Sequence, residues 1–185
     1  MNSSTLVLER PNLVLPDAVS KACVGIDNGT SGAIACITPA GEVLCEPVIF
    51  QDLGKEKLMD IDGNLALLRQ MIDATGLPVQ QVTVVFEQAQ ITPKFGFRNN
   101  YTNGRNNEFW RVLLTMARIP FSWVNPQAWQ RAIFNGIRGD DTKEMADLVR
   151  RQRFPDLDLS GYTRIQAGGI NDAVCIALWA RQTIK

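Results

Sequence analysis

The chain has 185 residues, 45% of them hydrophobic, 21% charged and 8% aromatic. That is an ordinary globular composition, with enough chain to bury a real core as one domain. It carries 19 Lys and Arg, 19 Asp and Glu, and no histidine, which excludes Ser–His and Cys–His nucleophiles, imidazole bases and every zinc site that needs an imidazole.

Residues 1–20 hold two prolines and little periodicity, and read as an N-terminal extension. Ala22–Asp27 is an apolar strand running into an Asp27-Asn28-Gly29 turn. Gly32–Thr38 and Glu42–Phe50 read as a hairpin around Pro39-Ala40-Gly41-Glu42, which would set Cys36 opposite Cys45. Asp60–Thr75 spaces Ile61, Leu65, Leu68 and Ile72 as a helix, stopped by Gly76 and Pro78. Gln81–Phe86 is a continuous apolar strand with Glu87 at its end. Residues 88–104 are polar, basic and aromatic without a period. A helix is expected over 105–118, whose Phe109, Trp110, Val112, Leu113 and Leu114 suit either a dimer face or the core. A strand follows over 119–124, then helices over 126–134, over the basic stretch 142–153, and over 170–182 after Gly168-Gly169. A hairpin followed by alternating strands and helices is a mixed α/β layer arrangement.

The zero net charge conceals a split. Residues 1–93 hold 5 Lys and Arg against 11 Asp and Glu, whereas residues 94–154 hold 11 against 5. The first part offers metal-ligating acids, and the middle suits a polyanion. Cys23, Cys36, Cys45 and Cys175 lack any CxxC or short paired spacing, so they read as buried apolar residues in a reducing cytoplasm. No apolar run reaches the ~18 residues of a membrane span, and Glu9 and Arg10 interrupt the first apolar stretch. A cytoplasmic protein with no membrane contact and no signal peptide is expected.

Three acids stand where a core would not put them. Asp27 ends the first strand, Glu87 ends the fourth, and Asp172 opens a helix whose residues Ala173–Ala180 contain no polar group beyond the Trp179 indole. Each has a plain alternative: a turn residue, a solvent-facing strand end, and a helix N-cap, a role Asn171 would also fill. Taken together at one edge, clustered carboxylates repel, and hard oxygen donors without nitrogen or sulfur favour Mg²⁺ or Mn²⁺. Paired divalent ions are a common device for phosphodiester hydrolysis.

The stretches VGIDNGTSGAIA at 24–35, VVFEQ at 84–88, IPFSWVNPQAWQRAIF at 119–134 and INDAVCIALWA at 170–180 together resemble RuvC-type Holliday-junction resolvases of the phage and bacterial branch. The likeness runs from about Lys21 to Trp179. It implies a ribonuclease-H-like fold over 21–185, with a five-stranded mixed sheet flanked by helices. It also implies a homodimer, two Mg²⁺ ions that Mn²⁺ can replace, and paired symmetric nicks in four-way DNA by metal-activated water. By the same resemblance Asp27, Glu87 and Asp172 are the catalytic and metal-binding acids. The segment after Glu87 is the junction-contacting loop, where Phe95 or Phe97 inserts at the crossover and Lys94, Arg98, Asn99, Asn100 and Arg105 hold phosphates; Lys143 lies on a helix flanking the site. One departure matters: relatives carry a fourth acid three residues before the last, or a histidine slightly earlier. Here Gly169 stands at the acid's position, with Asn171, Asp140 and Asp141 nearby as imperfect substitutes.

Other readings remain open on these residues. A flap or fork nuclease would share the same acids, and a non-catalytic junction-binding protein would explain Gly169. The GIDNGTSG string also resembles the phosphate hairpin of sugar kinases in the actin-like superfamily. Those enzymes need two such domains and a longer chain, so no nucleotide cofactor is expected.

Overall fold

Two five-residue runs of small and β-branched residues, Ala22–Ile26 (β1) and Ala33–Ile37 (β2), are buried along their whole length. In the computed structural model, which describes residues 21–54 and 57–184, they form the middle of the main sheet. The expected extension over 1–20 lies outside the described residues. Val43–Pro47 (β3) pairs antiparallel with β2, which pairs antiparallel with β1. Phe50–Asp52 (β4) and Lys57–Met59 (β5) make a separate two-stranded sheet. Val82–Glu87 (β6) and Phe121–Val124 (β7) then add in parallel on the far side of β1, giving the order β3-β2-β1-β6-β7. This is the expected five-stranded mixed sheet, a hairpin first and parallel strands after.

Two details of the hairpin differ from expectation. The Thr38 amide donates to the Glu42 carbonyl at 2.9 Å, so the turn is the three residues Pro39-Ala40-Gly41, with Gly41 at φ +90°. Cys36 therefore faces Leu44 and Cys45 faces Ala35. A one-residue shift of register turns side chains to the other face, and the two thiols stand on opposite sides of the sheet. The second difference is at Pro47, which has no N–H to continue a ladder. The run expected over 42–50 stops there, and Phe50 belongs to the small sheet.

Helix α1, Ile61–Asp73, is capped by Asp60, whose side chain accepts the Gly63 amide at 3.0 Å. Its buried apolar residues are Leu68, Met71 and Ile72, while Ile61 in the first turn is exposed. Helix α2 spans Phe97–Met116, starting eight residues before the expected Arg105. Together α1 and α2 cover the sheet face that carries Val24, Ile26, Val84 and Phe86. Trp110, Leu113 and Leu114 are buried in that core, whereas Val112 points outward.

The opposite face is covered by α3 (Pro126–Ile133), α4 (Thr142–Arg153) and α5 (Arg164–Thr183). Helix α5 is the main partner of β1 and β2. It begins at Arg164, after the Thr163 cap and six residues before Ile170, so Asp172 is its ninth residue and not its opening one. The helix lies directly on the strand: a Cβ on Gly25 would stand 2.2 Å from the Ala173 carbonyl oxygen and 2.3 Å from the Ala177 nitrogen. Only glycine lets the two backbones approach so closely.

Candidate active site

Ile26 pairs with Phe86 in the parallel ladder, so Asp27, just past β1, and Glu87, the last residue of β6, stand side by side at the sheet's edge. Asp27 is held by its turn: its Oδ1 accepts the Gly29 amide at 2.9 Å. Asn28, buried, donates through Nδ2 to the Glu87 carbonyl at 2.6 Å and so straps the two strand ends together. The seating of α5 on Gly25 brings Asp172 over the same edge. Two further groups reach in. The Trp129 indole N–H of α3 donates to Glu87 Oε2 at 2.7 Å, and the Lys143 ammonium of α4 donates to Asp172 Oδ2.

The electrostatics tie these groups into one cluster. Burial, opposed by the Gly29 bond and by Lys143, pushes the Asp27 carboxyl above its ordinary range. Glu87 is pushed up to about 8, first by burial and then by the charge of Asp27, with the Trp129 bond opposing and Asp172 adding. Asp172 is pushed up to about 6 by burial and Asp27, against the pull of Lys143. Burial lowers the Lys143 pKa, but Asp172, Asp27 and Glu87 together more than reverse that, and the net direction is up. Such mutual perturbation is characteristic of functional clusters.

Among the described residues, no three His, Cys, Asp or Glu side chains are drawn together tightly enough to hold a metal ion. The donor set nonetheless fits a hard divalent cation in kind: all oxygen, mutually repelling, with one ammonium already drawn onto one member. A fourth acid has no room. A Cβ at Gly169 would stand 2.0 Å from the Ser31 carbonyl oxygen, because α5 abuts the turn after β1. Asn171 is buried and turned to α4, donating to Asp147 Oδ1 at 3.3 Å and accepting from Arg150 Nε at 3.4 Å. Asp141 caps α4 by accepting the Glu144 amide, and the Asp140 amide donates to Glu144. Neither aspartate joins the cluster.

A groove of about 770 Å³ is lined by Thr30, Lys57, Phe95, Arg98, Tyr101 and Arg105 among others. Thr30, three residues after Asp27, is the groove's link to the turn that holds that acid. Phe97 is 88% exposed and stacks on exposed Tyr101, with ring centroids 6.4 Å apart. Lys94, Arg98 and Asn99 are exposed. Arg105 instead donates to the Lys57 carbonyl at 3.0 Å, and the Asn100 amide is engaged with Thr92 and Phe95. Sequence reading missed Asn28, Tyr101, Asn106 and Trp129. Tyr101 lies four residues from Phe97, a helical spacing that was legible only once the helix was known to start there.

The sheet order, with acids at the ends of neighbouring parallel strands and on the covering helix, defines a ribonuclease-H-like fold of the RuvC type. No family model matches the sequence, and no curated protein matches it. Among solved structures, Thermus thermophilus RuvC in complex with a Holliday junction substrate superposes with a TM-score of 0.57 at 17% identity, covering 87% of this chain and 93% of that one. A second Thermus thermophilus RuvC structure gives 0.48 at 16% identity, over 86% and 93%. At these identities the likeness is one of fold. No helix among the described residues is long and apolar enough to cross a membrane.

Proposed function

We propose that residues 21–185 form a Mg²⁺-dependent endodeoxyribonuclease that resolves four-way DNA junctions as a homodimer. The observation that carries this reading is the convergence of Asp27, Glu87 and Asp172 at one edge of a RuvC-type sheet, each pushed up in pKa, with a basic, aromatic groove lined by Thr30 of the turn that follows Asp27. The similar Thermus thermophilus RuvC, seen in complex with a Holliday junction substrate, supports the choice of DNA shape. Asp27, Glu87 and Asp172 would hold the Mg²⁺, which when bound polarises a phosphate and makes water more acidic.

The chain's own groups prepare that site. The Gly29 amide orients Asp27, and the Trp129 indole occupies one oxygen of Glu87, leaving the other free. With Glu87 near pKa 8, its carboxyl keeps a proton at neutral pH until positive charge arrives. Lys143 supplies a mobile cation next to Asp172, able to transfer to a DNA phosphate. The exposed Phe97–Tyr101 pair offers a surface for unpaired bases at a crossover, and Lys94, Arg98 and Asn99 offer contacts to phosphates. Outward Val112 and Met116 on α2 are suited to a second copy, whose active site would pair with the opposed strand.

One observation favours a second reading. The closed position at Gly169 and the Lys143 contact on Asp172 fit a protein that binds junctions without cutting them. A labelled four-way junction, duplex, flap and fork, each incubated with Mg²⁺, Mn²⁺ or EDTA, separates these. Paired nicks on the junction alone, dependent on metal and lost in Asp27→Asn, are the expected result. Binding without nicks in either metal would establish the second reading, and preferential cutting of flaps or forks would reassign the substrate.

A further inference from the structure

The segment between β6 and α2 doubles back along the helix and is clipped to it by asparagines. The Ala89 amide donates to Asn107 Oδ1 at 3.2 Å, Asn103 donates to the Gln90 carbonyl at 3.3 Å, and Asn100 donates to the Thr92 and Phe95 carbonyls at 2.9 Å each. Residues 100, 103 and 107 share one helix face. One turn of the same helix carries Asn106, 1% exposed, which donates to the Asn28 carbonyl at 3.1 Å. Asn28 in turn donates to the Glu87 carbonyl. Two sets of directional bonds thus tie α2 down: Asn100, Asn103 and Asn107 hold the strap that follows β6, and the Asn106–Asn28–Glu87 relay fixes the helix to the ends of β1 and β6.

An apolar strap would hold the same segment without fixing its register, because hydrophobic contact is non-directional. Amide hydrogen bonds lose strength steeply with misalignment, so a slipped strap loses them. From Phe97 to Asn106 is about 14 Å of helix axis, roughly four nucleotide steps of 3.4 Å along a strand.

We propose that Asn28, Asn100, Asn103, Asn106 and Asn107 are positioning residues that act as a ruler. They hold the Phe97–Tyr101 tip at a fixed distance from the three carboxylates and so select which phosphodiester, counted from the branch point, is cut. The proposal rests on the junction-nuclease reading above. None of these residues is asked to touch metal.

The test compares the parent protein with Asn106→Ala and with the double variant Asn103→Ala/Asn107→Ala, which unclips the strap without touching buried Asn106. Nicks are mapped at nucleotide resolution on an immobile four-way junction. Since a misplacement of about 1 Å can cost about 100-fold in rate, nicking at the parental position should fall at least tenfold. New nicks should appear at neighbouring phosphodiesters, while junction affinity stays within about threefold. A single parental nick at the parental rate in both variants would overturn the ruler. In parallel, spin labels at Arg98→Cys and Gln182→Cys report the tip-to-core distance without DNA. A narrow distribution in the parent that broadens in the variants is expected, and equal widths would overturn the proposal. If the parent never nicks, the nuclease reading fails and the ruler's part in choosing a phosphodiester falls with it, while the label distances still decide whether the asparagines hold the tip in place. Should Asn106→Ala not fold, the double variant decides alone.

Discussion

Helices α2 and α5 are both 20 residues long, and both begin well before hydrophobic periodicity says they should. The reason is shared: the early turns of each meet backbone instead of apolar side chains. Helix α5 solves this by having no side chain at Gly169, which abuts Ser31, and only methyl groups at Ala173 and Ala177, which abut Gly25. Helix α2 solves it with amides, Asn100, Asn103 and Asn107 bonding to the strap. Close backbone contact gives α5 an immovable Asp172 beside Asp27 and Glu87. The amide face gives α2 an exposed tip held at arm's length. One helix positions chemistry, the other an address.

The sharpest way to break this division is Asp27→Asn. Nicking should fall by at least about 100-fold, since a metal's charge stabilisation amounts to several kcal/mol, while junction affinity in a gel-shift titration stays within about twofold. An equal loss of both would mean the acids also serve as the address.

Next in size is a pH effect on stability. With Glu87 at about 8 and Asp172 at about 6 in the folded protein, against ordinary values of 4.5 and 3.8, the folded state holds protons that the unfolded chain has released. Stability in EDTA should therefore be highest below about pH 4 as far as these two groups are concerned. It should decline as pH rises, through about 6 for Asp172 and about 8 for Glu87, by an amount on the order of a few kcal/mol. Melting curves across pH 5 to 8 check this. Asp27→Asn should flatten the slope, and added Mg²⁺ should raise the melting temperature most at pH 8.

Gly169→Asp tests the close-packed side directly. With 2.0 Å between its Cβ and the Ser31 oxygen, overpacking of about 1–3 kcal/mol or more is expected. That should appear as a drop of several degrees in melting temperature, with no gain in nicking. A stable, faster variant would show that the turn after β1 yields and that a fourth acid was merely missing.

Smallest is the effect of Tyr101→Ala or Phe97→Ala. Base stacking contributes about 1–3 kcal/mol per base, so junction affinity should weaken by roughly tenfold. Thermal stability should change by less than about 0.5 kcal/mol, because both rings are exposed. A large drop in melting temperature would turn the tip from an address into part of the core.

Much of the site was legible because it stands on strands and turns. Asp27 before Asn28-Gly29 and Glu87 after Val82–Phe86 are acids interrupting apolar runs, a signal that depends on nearest neighbours alone. Asp172 stood out for the same reason, yet it was placed at a helix start because Gly168-Gly169 resemble a helix breaker. In the folded chain those glycines lie within the helix, where the capping box at Thr163 and Gln166 starts it earlier. Trp129 was hidden, since an indole in the WQRAIF stretch looks the same whether its N–H is free or bonded to a carboxylate 42 residues away. The strap-binding role of the α2 asparagines was hidden too, with Asn100 read as a phosphate contact: without apolar spacing, a helix face that binds backbone has the composition of a loop.

From sequence alone came the absence of histidine, the burden this puts on carboxylates, the α/β order, the acid-to-basic split and the three acids themselves, all properties of composition or of neighbours in the chain. Tertiary structure decided which acids meet, why Gly169 has no room for a fourth, that Lys143 turns to Asp172, and that an asparagine face joins the tip to the strand ends. These depend on how closely two backbones approach and which atom lies opposite which, and such distances exist only after the sheet and its helices have packed.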